Sequence, residues 1–211
     1  MKITCLSDIH DNRINFNIGE CDILIFAGDA TCHREPIDQD YINFNTWFSG
    51  FNAKHKILIA GNHDVLYEKH KLIAKSFLSK DLIYLENDWV EIEGIKIAGS
   101  PYSLKWNNWA FNTDEETLAY YYSLLQEDID ILVTHGPPKG ILSTYRGNNE
   151  VGSESLLNYV NNSKVRYHIF GHAHQCYGFE VVNDKAFINC AITDNQNIPI
   201  NKPIRFDYKY V

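Results

Sequence analysis

Five short apolar runs punctuate the chain, and each gives way to a small residue followed by a side chain that binds metal or moves protons. Ile3-Thr4-Cys5-Leu6 leads into Ser7-Asp8-Ile9-His10, Ile23-Leu24-Ile25-Phe26 into Ala27-Gly28-Asp29, and Ile57-Leu58-Ile59 into Ala60-Gly61-Asn62-His63-Asp64. Ile131-Leu132-Val133 then leads into Thr134-His135-Gly136, and Tyr167-His168-Ile169-Phe170 into Gly171-His172-Ala173-His174. Continuous apolar runs of this length suit strands buried on both faces. In open α/β sheets, ligands collect outside the carboxyl ends of such strands, so the five tips are predicted to converge on one site.

Between the runs the period changes from strand to helix. Ile37, Tyr41, Phe44, Trp47, Phe48 and Phe51 recur at spacings of three and four, which predicts an amphipathic helix from Ile37 to Phe51. Further helices are predicted over Glu68 to Leu78, over Asp114 to Gln126 with Thr113 as its N-cap, and over Ser153 to Val160. Alternation from Trp89 to Gly99, broken at Glu93-Gly94, reads as a β-hairpin. A second hairpin is expected at Asn183-Asp184, joining Phe179–Val182 to Ala186–Asn189. Buried strands followed by helices, with hairpins in both halves, predict an α/β fold. Its expected form is a four-layer α/β/β/α sandwich of two mixed sheets flanked by helices. Pro101 to Asn112 and Gly136 to Gly152 are the longest irregular stretches and follow predicted strands, which makes them candidate substrate loops.

At 211 residues and 45% hydrophobic content, the chain is expected to form a single domain over 1–211. The net charge of −8 argues against binding long nucleic acid or an anionic membrane, since both rest on dense Lys and Arg. Two bound divalent ions would offset about half of that charge at the point where an anionic substrate docks. Five cysteines with no CxxC pair favour free thiols in a reducing compartment. No apolar run approaches the ~20 residues of a membrane span, and an apparent strand begins at Lys2, leaving no room for a signal peptide; a cytoplasmic protein is expected. Oligomeric state is left open.

The motifs differ in weight. Asp8 and His10 at i and i+2 would lie on one side of an extended segment and could grip one ion together. Gly28-Asp29 alone is common in any turn. Asn62 after Gly61 carries more information, because an amide carbonyl suits a hard divalent ion. His135 alone would more often be an interior histidine. Gly171-His172-Ala173-His174 is the strongest element, since paired histidines at a strand tip seldom serve anything but metal. His33 and Cys32, just beyond Asp29, could reach the pocket rim.

Taken in order, DxH, GD, GNHD, H and GHxH resemble the ordered signature of calcineurin-like metallophosphoesterases. Ile59–Asp64, Gly99-Ser100-Pro101, Trp109–Asn112, Val133–Pro138, Phe170–His174 and Asn201–Ile204 resemble the metallophosphoesterase-domain-containing subfamily in particular. The similarity runs from about Lys2 to Asp207. Asp64 stands where that group often has Glu, and Asp11-Asn12 lengthens the step from His10 to Arg13.

The resemblance implies a pair of divalent ions. One would take Asp8, His10, Asp29 and His174, the other Asp29, Asn62, His135 and His172, with Asp29 bridging. A hydroxide shared by both ions would attack phosphorus in line. His63, not a ligand, would protonate or hydrogen-bond the departing oxygen, with Asp64 or a nearby carbonyl fixing its tautomer. The donor set suits Mn²⁺, Fe or Zn²⁺, and the resemblance favours Mn²⁺. It also implies a phosphodiesterase acting on cyclic nucleotides or other small phosphodiesters. A phosphomonoesterase or protein phosphatase would use the same centre, and a catalytically weak nucleotide-binding module or a nuclease are further alternatives. Asn12, Arg13 and Trp109 are the candidate substrate contacts; Tyr102, Trp106 and Phe111 could stack on a base, although packing is the commoner use of such rings. Lys105 and Arg146 could also meet phosphate.

Overall fold

The computed structural model describes residues 1–147 and 149–209. In chain order the strands are β1 Lys2–Leu6, β2 Ile23–Ala27, β3 His55–Ile59, β4 Leu82–Tyr84, β5 Asp88–Ile92, β6 Ile95–Ser100, β7 Ser103–Leu104 and β8 Asn112–Thr113. They continue as β9 Ile131–Thr134, β10 Thr144–Tyr145, β11 Asn149–Glu150, β12 Tyr167–Phe170, β13 Gly178–Val182, β14 Lys185–Asn189 and β15 Ile204–Asp207. The helices are α1 Asp38–Ser49, α2 Val65–Lys69, α3 Lys71–Ser76, α4 Glu115–Ser123 and α5 Glu154–Asn162.

Two mixed sheets dominate. One has the order β15-β1-β2-β3-β4 and is parallel apart from β15; the other has the order β13-β14-β12-β9-β6-β5 and is parallel in its centre. Alternation along each strand sorts side chains between layers. Ile3, Cys5, Ile23, Ile25, Ile57 and Ile59 face Ile97, Ile131, Val133, Ile169 and Ile188 across the space between the sheets. The opposite face of the first sheet, with Leu24, Phe26 and Leu58, packs on Tyr41, Phe44 and Phe48 of α1. The opposite face of the second, with Ala98, Leu132, Phe170 and Phe187, packs on Leu118, Tyr122, Leu156 and Val160 of α4 and α5. Three apolar seams therefore separate four layers, as the strand and helix periods predict.

All five apolar runs form strands, and both hairpins are present. Glu93-Gly94 and Asn183-Asp184 turn with φ positive at both residues, the twist that a two-residue hairpin loop requires. All the predicted helices differ at their limits: α1 ends at Ser49 rather than Phe51, α4 at Ser123 rather than Gln126, and α5 runs on to Asn162; two departures have a visible cause. The element predicted over Glu68–Leu78 begins at Val65 and breaks at His70, whose φ of −141° leaves the helical region. Val65, Leu66 and Tyr67 are buried and the Leu66 N–H donates to the Tyr41 hydroxyl, so tertiary contacts start the helix early. At α4, Thr113 is paired in β8 with Leu104, and the cap is Asp114, whose carboxylate accepts the Thr117 N–H at 2.9 Å. Among the described residues no helix is long and apolar enough to cross a membrane, and the five cysteines are free thiols.

Candidate metal centre

The carboxyl ends of β1, β2 and β3 lie beside those of β9 and β12, and a parallel bridge between Ser7 and Ala191 joins the two sheets at this edge. The chain leaves its strands sharply. Asp8, His10, Asp29 and His172 all have positive φ, at 52°, 42°, 60° and 65°. The Asp8–His10 segment is therefore not extended, and its side chains converge through a left-handed turn rather than through strand alternation. Each such residue costs about 1–2 kcal/mol relative to ordinary backbone. Hydrogen bonds from Asp8, Ile9 and His10 N–H groups to the carbonyls of Gly28 and Asp29, at 2.9 to 3.2 Å, hold the turn against the β2 loop. Gly28, at φ +94°, has no room for a side chain: a Cβ there would lie 2.7 Å from the Gly61 nitrogen and from His135 Nδ1.

Within this frame the polar side chains form two adjoining groups. In the first, His10 Nε2 lies 3.2 Å from His174 Nε2, which is 3.2 Å from Asp8 Oδ1. In the second, His135 Nε2 lies 2.9 Å from Asn62 Oδ1, and the His172 ring is centred 5.1 Å from that of His135. Asp29 joins them: its Oδ2 is 3.8 Å from His10 Nε2 and 3.4 Å from His135 Nε2, while its Oδ1 accepts the His63 N–H at 2.7 Å. Asp8, His10 and His174 offer atoms within 4.8 Å of one another, as do Asp8, Asp29 and His135.

Three imidazoles are oriented by main-chain carbonyls. His10 Nδ1 faces Thr31 O at 3.2 Å, His135 Nδ1 faces Ala27 O at 3.0 Å, and His174 Nδ1 faces Asp194 O at 2.8 Å. A carbonyl can only accept, so each Nδ1 donates and Nε2 is the nitrogen that faces inward. Without metal, a proton on His174 Nε2, favoured by Asp8, serves both Asp8 Oδ1 and His10 Nε2; a bound cation would take its place between the same three atoms. The donors present thus fit divalent ions bound by imidazole and oxygen.

Electrostatics divide the site between charged carboxylates and two kinds of imidazole. Burial pushes the Asp8 carboxyl up, but the His174 hydrogen bond and neighbouring imidazoles outweigh it and bring it down to about 2. Asp29 is likewise held well below the usual carboxylate range by His135 and His63 despite its burial. Burial lowers His10 to about 4 and His172 to about 3, keeping both neutral at pH 7; burial also disfavours charge on His135 and His174, but Asp29 brings His135 up to about 10 and Asp8 raises His174, so a bound ion would displace a proton from these two.

Asp64 takes a different part from the one expected. Its Oδ2 accepts the Asp29 and Gly61 N–H groups, both at 2.8 Å, and its Oδ1 accepts those of Ala30 and Thr31 at 3.0 and 3.2 Å. The carboxylate clasps the β2 loop to the β3 loop and makes no hydrogen bond to the His63 ring. Burial, then the Asp29 charge, push its carboxyl up to about 7. His63 Nδ1 is buried without a hydrogen-bond partner among the described residues, so no carbonyl fixes its tautomer either. What holds the ring is aromatic: Trp109 lies 3.9 Å away at 33°, and the Arg34 guanidinium sits 4.0 Å above Trp109.

A cleft of about 270 Å³ opens over these groups, lined by His10, Asp29, Asn62, His63, His172 and His174 on its floor. Trp106, Asn107 and Trp109 between β7 and β8, Tyr145 of β10, Val151 just after β11, and Asn195 and Asn197 form its walls; the two stretches expected to be irregular thus each hold a short strand pair. Asn12 and Arg13 are absent from that lining. The Asn12 amide nitrogen donates to the carbonyls of Ile9, His10 and Asn197, and Arg13 pairs with Asp11 at 2.9 Å, so both side chains are engaged with the loop. Trp109 reaches the cleft but packs against His63; Phe111 is core, Tyr102 packs on Tyr121, and Lys105, Arg146, Cys32 and His33 do not line the cleft. Arg34 and the carbonyls of Thr31, Ala27 and Asp194 went unread in the sequence. A carbonyl is common to every residue and leaves no mark there.

Comparison with known proteins agrees with this geometry. The family model described as calcineurin-like phosphoesterase matches residues 1–176. Metallophosphoesterase domain-containing protein 1 of Homo sapiens is 30% identical over 98% of this chain and 70% of its own length. A UPF0046 protein of Caenorhabditis elegans is 30% identical over 98% of this chain and 74% of its own. Among solved structures, phosphopantetheinyl hydrolase from Mycobacterium tuberculosis matches with a TM-score of 0.64 at 13% identity, covering 93% of this chain and 90% of that one.

Proposed function

The chain belongs to the calcineurin-like phosphoesterase family, whose members are metal-dependent hydrolases of phosphoesters, and on that premise we propose that it is a dinuclear phosphodiesterase acting on small diesters, cyclic nucleotides among them. In this reading the described residues act as a single catalytic domain. The observation that carries this reading is Asp29 Oδ2, which faces the inward nitrogens of His10 and His135 at 3.8 and 3.4 Å and so gives two donor groups one shared oxygen. Asp8, His10, Asp29 and His174 hold one ion; Asp29, Asn62, His135 and His172 hold the other. When bound, the ions, Mn²⁺ in this reading with Fe or Zn²⁺ as alternatives, supply positive charge to the phosphoryl oxygens and lower the pKa of an attacking water.

The protein's own residues do the rest. Asp29 fixes the spacing of the two donor groups, and Asp64 fixes Asp29 by holding its N–H. His63 sits on the cleft floor with Nδ1 enclosed, so its other nitrogen, Nε2, is the one that donates a proton to the departing oxygen. Trp109 keeps that ring from swinging. Trp106, 41% exposed and edge-on to Tyr145 at 5.9 Å, offers a face on which a base can stack. A cleft of about 270 Å³ and a net charge of −8 favour a small ester over a nucleic acid polymer, and neither membrane nor polymer partner is part of this reading. A cytoplasmic location fits the free thiols.

The test is a comparison of bis(p-nitrophenyl) phosphate with p-nitrophenyl phosphate under Mn²⁺, followed by 2′,3′- and 3′,5′-cyclic nucleotides. Faster diester turnover is expected; preference for the monoester would replace this reading with a phosphomonoesterase. His63→Ala should keep both ions yet lose about 10²-fold in kcat, and Asp29→Asn should lose at least one ion by elemental analysis.

A further inference from the structure

A second group of ligand-type side chains lies outside the cleft. Asp11 follows the β1 turn, Cys32 and His33 continue the β2 loop, and Asp40 sits in the first turn of α1. We propose that Asp11, Cys32, His33 and Asp40 form a mononuclear site for a thiophilic divalent cation of the zinc class, separate from the paired centre.

Three donors are gathered and a fourth stands beside His33. Asp11, Cys32 and His33 each offer one donor atom, all within 4.8 Å of one another. His33 Nε2 is 3.9 Å from Asp11 Oδ2 and 3.6 Å from Asp40 Oδ2. Ligands of a tetrahedral zinc ion with bonds of about 2.0–2.3 Å stand roughly 3.3–3.8 Å apart, so the two His33 pairs are already close to that spacing, while Cys32, within 4.8 Å, and Asp40, which approaches through His33, would draw in on binding. Neither distance is a hydrogen bond. Asp40 Oδ2 is buried and has no hydrogen-bond partner, an arrangement that is costly unless a positive centre completes it. Asp11 meanwhile accepts the Cys32 N–H at 3.1 Å and is braced by Arg13, which orients its carboxylate towards the group.

The donor types separate this site from the other. A thiolate, an imidazole and two carboxylates select Zn²⁺ or Co²⁺ over Mg²⁺ or Mn²⁺, whereas the paired centre offers no sulfur. His33 is exposed and Cys32 half-buried, so an ion reaches the site from solvent. Bound there, it would tie the loop carrying His10 and the loop carrying Asp29 to the start of α1, and so stiffen the frame of the cleft without touching substrate.

Titration of the full chain with Co²⁺, followed by absorption and by equilibrium dialysis, tests this. Wild type should take up three ions and show a sulfur-to-cobalt charge-transfer band in the near ultraviolet. Cys32→Ser and His33→Ala, both at the surface, should lose the band and one ion while keeping the other two, and Cys176→Ser should keep the band. No band at saturating Co²⁺, a band that survives in Cys32→Ser, or one that vanishes in Cys176→Ser would each overturn the proposal. None of these readouts depends on phosphoesterase activity.

Discussion

Replacing Asp64 by alanine removes the acceptor of four backbone N–H groups, those of Asp29, Gly61, Ala30 and Thr31, in a place only 1% exposed. Stranding a buried donor costs about 1–3 kcal/mol, so four give roughly 4–12 kcal/mol. Two effects work against that sum. Removing a buried carboxylate recovers several kcal/mol of desolvation, and water entering the vacated space re-pairs some donors. A net loss of about 3–5 kcal/mol is expected. In urea unfolding of the metal-free protein followed by tryptophan fluorescence, a slope of about 2–3 kcal/mol/M turns this into a midpoint lower by roughly 1–2 M. Asp64→Asn should also destabilise, since its amide nitrogen would confront two N–H donors. A midpoint within about 0.3 M of wild type, combined with lost turnover, would refute the clasp and return Asp64 to the chemistry.

Three further outcomes follow from the same geometry. In Gly171→Ala the added Cβ would collide with the Asp8 carboxylate and the Ser7 hydroxyl, so calorimetric Mn²⁺ affinity should fall at least about tenfold while circular dichroism stays native. Glu115 accepts N–H groups of Glu154 and Ser155 at 2.9 and 3.1 Å and hydroxyls of Ser153 and Ser155; burial raises its carboxyl, but these bonds leave it below 4.5. Its stabilisation is therefore complete above pH 4.5 and is lost as pH falls through the lowered value, so Glu115→Gln should flatten the acid-side decline of the melting temperature and cost about 1–2 kcal/mol at pH 7 with metal binding intact. Trp109→Ala frees the His63 ring and should lower kcat about tenfold at unchanged metal content; an unaltered kcat would show that the ring is positioned by other contacts.

The sheets were legible because burial on two faces leaves a continuous apolar signal, and the 2.0 and 3.6 residue periods sort the layers without reference to anything distant. Ile25 and Phe26 belong to different seams for that reason alone. The acidic, amide and imidazole side chains at the strand tips could also be named from composition and order. Helix limits were less legible: α2 starts at Val65 because Leu66 finds the Tyr41 hydroxyl 25 residues away, and Asp114 replaces Thr113 as cap because Thr113 pairs with Leu104.

Sequence alone, then, determined the five central strands and two hairpins, which side chains arrive at their carboxyl ends, and the class of chemistry those side chains permit, while the edge strands β4 and β15 appeared only in the fold. Tertiary structure alone decided that Asp8, His10, Asp29 and His172 turn through left-handed backbone, that carbonyls of Thr31, Ala27 and Asp194 aim three imidazoles inward, and that Asp64 grips main chain while Trp109 supports His63. The division has one physical cause. Side-chain hydrophobicity is written residue by residue and read at short range, whereas backbone N–H and C=O groups are the same at every position and gain meaning only when folding sets them opposite a particular partner.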